Sequence, residues 1–136
     1  MSAPELDRRE AVRLAYSAAA RDPAGQHPFA VGRELAPGVG YPPELLDHMP
    51  DAAVGTFAGV AAVSVEAEFE RGDRVLDLGL GGGLDALTAA DRVGQEGRVV
   101  GIDFSDDMLR RAQRARDAIA VDHVKIARRA EASWFA

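Results

Sequence analysis

The chain has 136 residues, of which 28% are charged and 47% hydrophobic, and its formal net charge is −6. A chain of this length and composition forms one folded domain and buries about two thirds of its unfolded surface. It contains no cysteine, which excludes disulfides, thiolate catalysis and zinc fingers. The acidic balance argues against nucleic-acid binding, because the basic residues gather only on one predicted helix, at Arg110, Arg111, Arg114 and Arg116.

The sequence gives no sign of membrane contact. No apolar stretch reaches the length that spans a bilayer, and residues 1–5, MSAPE, lack the pattern of a signal peptide. We therefore expect a cytoplasmic protein.

The N-terminal part predicts helices and a long loop. Residues 5–20 carry apolar side chains among charges, which favours a helix behind Pro4. Residues 21–43 contain five prolines and four glycines, a density that argues against regular structure. One or two helical turns are expected over residues 43–48, and a stretch rich in small residues follows over 51–70.

The C-terminal part predicts alternating strands and helices after a turn at Gly72-Asp73. The apolar run 74–78 is too short for a surface helix and is typical of a buried parallel strand. The expected elements are a strand over 74–78, a helix from 84 to Gly94, a strand over 98–103, a helix over 106–119 capped by Ser105, a strand over 121–127 and a tail.

A glycine loop between the first strand and its helix carries the chemistry. Gly79, Gly81 and Gly83 follow Asp77 at close spacing, and glycine lets the backbone take positive φ and pass close to a ligand. The dinucleotide fingerprint G-x-G-x-x-G needs glycine where Leu84 stands. A carboxylate beside the loop repels a pyrophosphate and attracts a cation. The sequence therefore disfavours a nicotinamide dinucleotide and predicts a ligand with positive charge near the loop.

Asp103 indicates the other end of this ligand. It closes the second predicted strand, twenty residues beyond Gly83. An acid at that distance from a glycine-rich loop usually accepts hydrogen bonds from ribose hydroxyls. A ligand with a ribose, a cationic group and no phosphates fits S-adenosyl-L-methionine (SAM).

Two stretches resemble a known family. VLDLGLGGGLD (75–85) and EGRVVGIDFSDDML (96–109) are similar to motif I and the following strand of the class I SAM-dependent methyltransferases. Within that family, GYPPELLDHMP (40–50) and the small-residue stretch 57–60 are most similar to the arsenite-methyltransferase-like branch. The resemblance covers about residues 15–130.

The resemblance implies roles for individual residues. The loop backbone would meet the methionine part of SAM, with Asp77 near its ammonium group, directly or through water. Asp103 would hold the ribose hydroxyls and Phe104 would lie against the adenine, although simple core packing of that ring stays open. The N-terminal helix, with Tyr16, would help to cover the cofactor. The family's acidic contact to the adenine amino group aligns with Ala130, so Glu131, one residue later, would make it only after a shift in register at the end of the third strand.

The sequence departs from the family in its acceptor chemistry. Arsenite methylation there uses cysteine thiols to hold arsenic, and soft metalloids prefer thiolates. Because this chain has no cysteine, the arsenic substrate is not carried over. The three histidines share no metal-ligand spacing, so no metal site is expected, and no catalytic residue can be named.

The second departure concerns the size of the sheet. The family uses seven strands, whereas this chain offers three, which would leave the apolar first strand as an exposed edge. A second copy of the chain, a separate polypeptide or the N-terminal arm could cover that edge. We favour association, because residues 21–43 are too rich in proline to pair well.

We therefore predict an α/β fold of partial Rossmann-like type, with three parallel strands in the order 3-2-1. Residues 1–72 would form a helical and loop cap, and residues 73–136 the N-terminal half of a SAM-binding domain. The predicted function is that of a SAM-dependent methyltransferase, or of the SAM-binding subunit of a split or self-associating one, with a small-molecule acceptor. The alternative is a non-catalytic, truncated methyltransferase-like protein that serves as a partner or regulatory subunit.

Overall fold

A computed structural model describes residues 3–135 of the chain. The elements are α1 (Ala3–Arg21), α2 (Leu35–Gly38), α3 (Pro43–His48), α4 (Asp51–Val54), α5 (Val63–Glu66), β1 (Arg74–Leu78), α6 (Leu84–Val93), β2 (Arg98–Ile102), α7 (Asp106–Ala118), β3 (Val124–Ala127) and a final 3₁₀ turn (Ala132–Phe135). Among the described helices, none combines the length and the apolarity that a membrane span requires.

The three strands form one parallel sheet with β2 in the centre, which confirms the predicted order 3-2-1. Arg74 of β1 lies opposite Arg98 of β2, and Val99 of β2 lies opposite Val124 of β3. Helix α6 connects β1 to β2 and α7 connects β2 to β3, as parallel pairing requires. The carboxyl ends of β1 and β2 therefore lie side by side, next to the N-termini of both helices.

One hydrophobic cluster joins the segment from α2 to α5 to the sheet, and a second, smaller one joins α1 to Met108 of α7. Tyr41, Leu46 and Val54 from the first part of the chain belong to the same buried cluster as Leu87 and Val93 of α6. The boundary at residue 72 predicted from composition does not interrupt this cluster, and its status as a domain boundary stays a prediction.

The expectation of a loop without regular structure over residues 21–43 is wrong in part. Helix α2 interrupts it, and both Ala36 within α2 and Tyr41 just after it are buried. Burial in the core stabilises this turn despite its proline and glycine. The third strand is shorter than predicted, because it pairs with β2 only from Val124, after the His123 carbonyl accepts the N–H of Val99.

Helix α1 is held against α7 by polar as well as apolar contacts. Ser17 Oγ and Ser105 Oγ lie 2.8 Å apart in a buried position, and Arg111 Nε donates to the Ala20 carbonyl at 2.8 Å. Burial, and then the charge of Arg114, lower the pKa of Arg111. Arg111, one of the four arginines gathered on α7, therefore anchors α1.

Strand β1 lies at the edge of the sheet, as the sequence predicts. Leu76 is 45% exposed and Leu78 is 70% exposed. No other strand among residues 3–135 pairs with the outer side of β1. An apolar edge strand of this kind is a ready template for pairing with further polypeptide.

Candidate functional site

The loop after β1 turns sharply and is tied to the neighbouring strand. Gly79, Gly81 and Gly83 have φ values of 78°, 57° and 97°, a region that residues with a Cβ rarely adopt. The N–H groups of Gly79 and Leu80 both donate to the Ile102 carbonyl, at 3.0 and 2.9 Å. The loop is thereby fixed at the carboxyl end of β2.

Two further glycines make room for this loop. A Cβ on Gly101 in β2 would lie 2.5 Å from the Leu80 side chain, which is buried beneath the loop. A Cβ on Gly82 would overlap Thr56 Oγ1 and would lie 3.0 Å from the Ala52 carbonyl oxygen. Gly82 is therefore the position where α4 and the residues after it pack against the loop, a contact that the sequence analysis missed.

Gly83 has a different structural role from the other glycines of the loop. It precedes α6 at the N-cap position, and a Cβ there would lie 3.3 Å from Ala112 Cβ of α7. It therefore allows the start of α6 to approach Ala112 of α7 closely. Leu84, which stands where a dinucleotide fingerprint has glycine, is 3% exposed and belongs to the core.

The carboxylate of Asp103 joins the loop to α7. Asp103 is 9% exposed, its Oδ2 accepts the N–H of Gly81 at 2.8 Å, and its Oδ1 accepts the N–H of Ser105 at 2.9 Å. Ser105 in turn caps α7, because its Oγ accepts the N–H of Met108 at 3.2 Å. Both oxygens of Asp103 are engaged, so a ligand hydroxyl would have to share them or replace Gly81.

A cavity of about 280 Å³ opens beside the loop, close to the lower end of the usual range for ligand pockets. Of the six predicted site residues, Gly79, Gly81, Asp103 and Phe104 line it, whereas Asp77 and Gly83 do not; Glu131 does not line it either. The remaining wall comes from other residues of the glycine loop, from α1, α4, the segment after α4, the start of α6 and the start of α7, and includes Tyr16, Thr56, Phe57, Gly82, Asp85 and Met108.

Phe104 and Tyr16, the two aromatic residues to which the sequence analysis gave roles, both border the cavity. Phe104 is 36% exposed, which leaves part of its ring free to contact a planar ligand. Tyr16 of α1 stacks on Phe29, with ring centroids 4.7 Å apart. This stacking fixes the Tyr16 ring at the mouth of the cavity.

Asp77 is half-buried, and one of its two carboxylate oxygens stands apart from the hydrogen bonds of the described residues. Its Oδ2 is buried and has no hydrogen-bond partner among residues 3–135. Burial first, and then the charges of Asp85 and Asp103, raise the pKa of Asp77 to about 6. Because Asp77 adds no surface to the cavity, a role in ligand binding stays a prediction for this residue.

Replacing Asp77 by asparagine is expected to stabilise the fold at neutral pH. The folded pKa of about 6 lies above the ordinary value of 3.8, so the folded state binds the proton more tightly than the unfolded state. The contribution of Asp77 to wild-type stability is therefore expected to fall as pH rises from about 4 to above 6. At pH 7.5 Asp77→Asn should gain about 2 kcal/mol, and near pH 4 almost nothing.

Urea unfolding of both proteins across this pH range measures the effect. The exposed-site variant Glu68→Gln is the matched control and should change stability by less than about 0.5 kcal/mol. A gain for Asp77→Asn that is absent at pH 7.5, or equal at both pH values, would contradict an uncompensated buried carboxylate.

Asp85 joins the cap to the site. Its Oδ1 accepts hydrogen bonds from Tyr41 Oη, from Ser64 Oγ and, at 3.1 Å, from the Ser64 N–H. Tyr41 is 1% exposed, and burial followed by the bond to Asp85 raises its pKa. In the sequence, Asp85 is only an acid in the first turn of a predicted helix. Its partners Tyr41 and Ser64 lie too far away along the chain for any spacing pattern to reveal these contacts.

A larger groove of about 1190 Å³ lies at the other end of α6, between α3 and the segment before β3. Its wall mixes charges of both signs and includes His48 and His123. Each histidine ring lies within hydrogen-bond distance of a backbone carbonyl: His27 with Asp22, His48 with Glu44 and His123 with Ala90. We place the candidate site at the smaller cavity, because only there do the glycine loop, carboxylates and an exposed aromatic ring come together.

Comparison with known proteins gives a family match over the sheet. Residues 69–129 match the methyltransferase domain family. A protein-L-isoaspartate O-methyltransferase of Ignicoccus hospitalis is 31% identical over 134 residues, covering 90% of this chain and 61% of that protein. An arsenite methyltransferase of Halobacterium salinarum is 45% identical over 42 residues, covering 31% of this chain and 11% of that protein. The chain thus spans less than two thirds of either relative.

The similar solved structures include a complex with SAM. Fibrillarin of Aeropyrum pernix, in complex with natively bound S-adenosyl-L-methionine, is 23% identical, with 48% of this chain and 29% of that chain covered and a TM-score of 0.40.

Proposed function

We infer that this chain, whose residues 69–129 match the methyltransferase domain family, binds SAM beside the glycine loop and serves methyl transfer. One observation carries the choice of ligand. Asp85 and Asp103 line the cavity, and no basic side chain among the described residues does. Such a wall attracts a cationic nucleoside and opposes a pyrophosphate. This reasoning favours SAM over a nicotinamide dinucleotide.

The proposed contacts follow the order of the ligand's parts. The backbone at Gly79 and Gly81 meets the methionine part, and Gly83 holds α6 close behind the loop. Asp103 accepts the ribose hydroxyls and the Phe104 ring lies against the adenine. Asp77, half-buried and with one oxygen that lacks a partner among the described residues, adds negative potential for the cationic part.

In methyl transfer the protein contributes mainly by positioning the reactants. The sulfonium of SAM supplies an activated methyl group, so the protein has to hold an acceptor in line with it. We propose a small-molecule acceptor and assign no catalytic base.

We also propose that a second copy or a separate polypeptide completes the sheet at β1. The exposure of Leu76 and Leu78 at that edge supports association. The rival is a non-catalytic chain that binds SAM as a partner or regulatory subunit, and turnover of SAM separates the two. A cytoplasmic location remains part of this proposal.

Calorimetric titration of the purified chain with SAM and, separately, with NAD tests the ligand. We expect saturable binding of SAM at one site per chain and no heat from NAD. The solution mass, measured on the same sample, should exceed that of one chain. Binding of NAD but not SAM would overturn the ligand assignment, and SAM binding without turnover by any assembly would favour the non-catalytic rival.

A further inference from the structure

Asp85 differs from the other two carboxylates near the loop. Asp77 adds no surface to the cavity, and both oxygens of Asp103 already accept backbone N–H groups. Asp85 lines the cavity, and all of its hydrogen bonds within the described chain fall on Oδ1. Its Oδ2 is neither hydrogen-bonded there nor among the buried oxygens that lack a partner. Asp85 is therefore a cavity-lining residue that keeps one carboxylate oxygen accessible.

The donors on Oδ1 fix the direction of this free oxygen. Tyr41 is almost fully buried and Ser64 is 3% exposed, so two rigid side chains and one backbone N–H hold the carboxylate. A carboxylate oxygen fixed in this way is suited to a charge-assisted hydrogen bond from a cationic N–H group. A primary ammonium, with three donors and a compact charge, matches it.

The position of Asp85 along the chain indicates which part of the ligand lies near it. Asp85 lies in the first turn of α6, two residues after the last glycine of the loop. The ribose acceptor Asp103 lies at the end of the neighbouring strand, next to Phe104. The ligand's amino-acid part, proposed to meet the loop, therefore lies towards Asp85.

We propose that Asp85 Oδ2 binds the α-ammonium group of the ligand's methionine part, and that Tyr41 and Ser64 are positioning residues that hold Asp85 for this contact. The inference rests on the proposed function. It also links binding to the cap, because Tyr41 packs edge-on against Phe57 at 5.0 Å, and Phe57 lines the cavity. The amino-acid part of the ligand is thus recognised only when cap and sheet are packed together.

Two probes separate this contact from the rest of the site. S-adenosylhomocysteine contains the ammonium group, whereas 5′-methylthioadenosine keeps the nucleoside and lacks the amino-acid part. We expect Asp85→Asn to weaken S-adenosylhomocysteine binding by about 10- to 100-fold, since a charge-assisted hydrogen bond is lost. Binding of 5′-methylthioadenosine should change by less than about twofold. The ratio of the affinity for S-adenosylhomocysteine to the affinity for 5′-methylthioadenosine, both measured by calorimetry, should therefore fall by about 10- to 100-fold.

Two further variants test whether the loss of binding in Asp85→Asn comes only from a disturbed structure. Tyr41→Phe keeps the buried ring and removes the hydroxyl, and we expect a loss of about 3- to 10-fold confined to S-adenosylhomocysteine. Glu68→Gln removes an exposed carboxylate and should leave the ratio unchanged. Melting temperatures of all variants establish that the folded state is retained.

The outcomes distinguish this inference from the proposed function. If wild type binds both probes and Asp85→Asn keeps the wild-type ratio, the inference is wrong and the proposed function stands. A ratio that collapses in Asp77→Asn as strongly as in Asp85→Asn would likewise overturn the assignment to Asp85. Failure of the wild type to bind either probe would overturn both.

Discussion

Replacing Gly82 by alanine is expected to lower the free energy of unfolding by about 2–3 kcal/mol, the upper part of the range for overpacking. The new Cβ would overlap Thr56 Oγ1 and would lie 3.0 and 3.1 Å from the carbonyl oxygens of Ala52 and Ala53. Gly82 has no positive φ, so the expected loss comes from steric overlap alone. Urea unfolding followed by circular dichroism measures it.

Two comparisons identify the cause. Gly38→Ala is the matched control, because nothing lies within 4 Å of a Cβ at that position, and its stability should stay within about 0.5 kcal/mol of wild type. Thr56→Ala removes the overlapping hydroxyl, so the Gly82→Ala/Thr56→Ala pair should lose less than the sum of the single variants. A Gly82→Ala protein as stable as wild type would show that the cap does not pack on the loop in this way.

Replacing Asp103 by alanine is expected to weaken S-adenosylhomocysteine binding by about 100-fold or more. The variant loses an acceptor for the ribose hydroxyls, and bonds to a charged group are worth about 1.5–3 kcal/mol each. It also leaves the N–H groups of Gly81 and Ser105 without the partners they have at 2.8 and 2.9 Å. The loop is therefore expected to lose its fixed shape. Calorimetry measures the affinity.

A second ligand separates the ribose contact from the loop contact. Wild type should prefer adenosine to 2′-deoxyadenosine, since the latter lacks one of the hydroxyls. Asp103→Ala should remove this preference, and Asp103→Asn, which keeps one acceptor oxygen, should retain part of it. A preference that survives in Asp103→Ala would mean that Asp103 only holds the loop.

The sheet was predictable because its signals are local. An apolar run flanked by charge and glycine gives β1 its observed bounds, Arg74–Leu78. Ser105 before an acidic first turn correctly marks the start of α7. The crossover helices then impose a parallel sheet with β1 at its edge.

The cap could not be predicted to the same depth, because its contacts join distant parts of the chain. Tyr41 and Asp85 are 44 positions apart, and Ser64 and Asp85 are 21 apart. The packing of Thr56 against Gly82 likewise cannot be predicted from the spacing of residues in the sequence. Helix α2 forms among prolines because the core buries Ala36, which local propensity does not capture.

The residues lining the site were predicted in part for the same reason. Glycine spacing and a strand-end acid predicted Gly79, Gly81 and Asp103 at the cavity. Asp77 was singled out by its proximity in sequence to the loop, whereas strand alternation decides where its side chain lies. Its predicted role near a cationic ligand stays a prediction.

Amide chemical shifts of the ¹⁵N-labelled chain, recorded during titration with S-adenosylhomocysteine, test the location of the site most directly. We expect the largest changes at Gly79, Gly81, Asp103 and Phe104, with smaller ones at Tyr16. Changes confined to the groove at the far end of α6, around Arg92 and His123, would contradict this site. Unchanged spectra at millimolar ligand would contradict SAM binding by this chain.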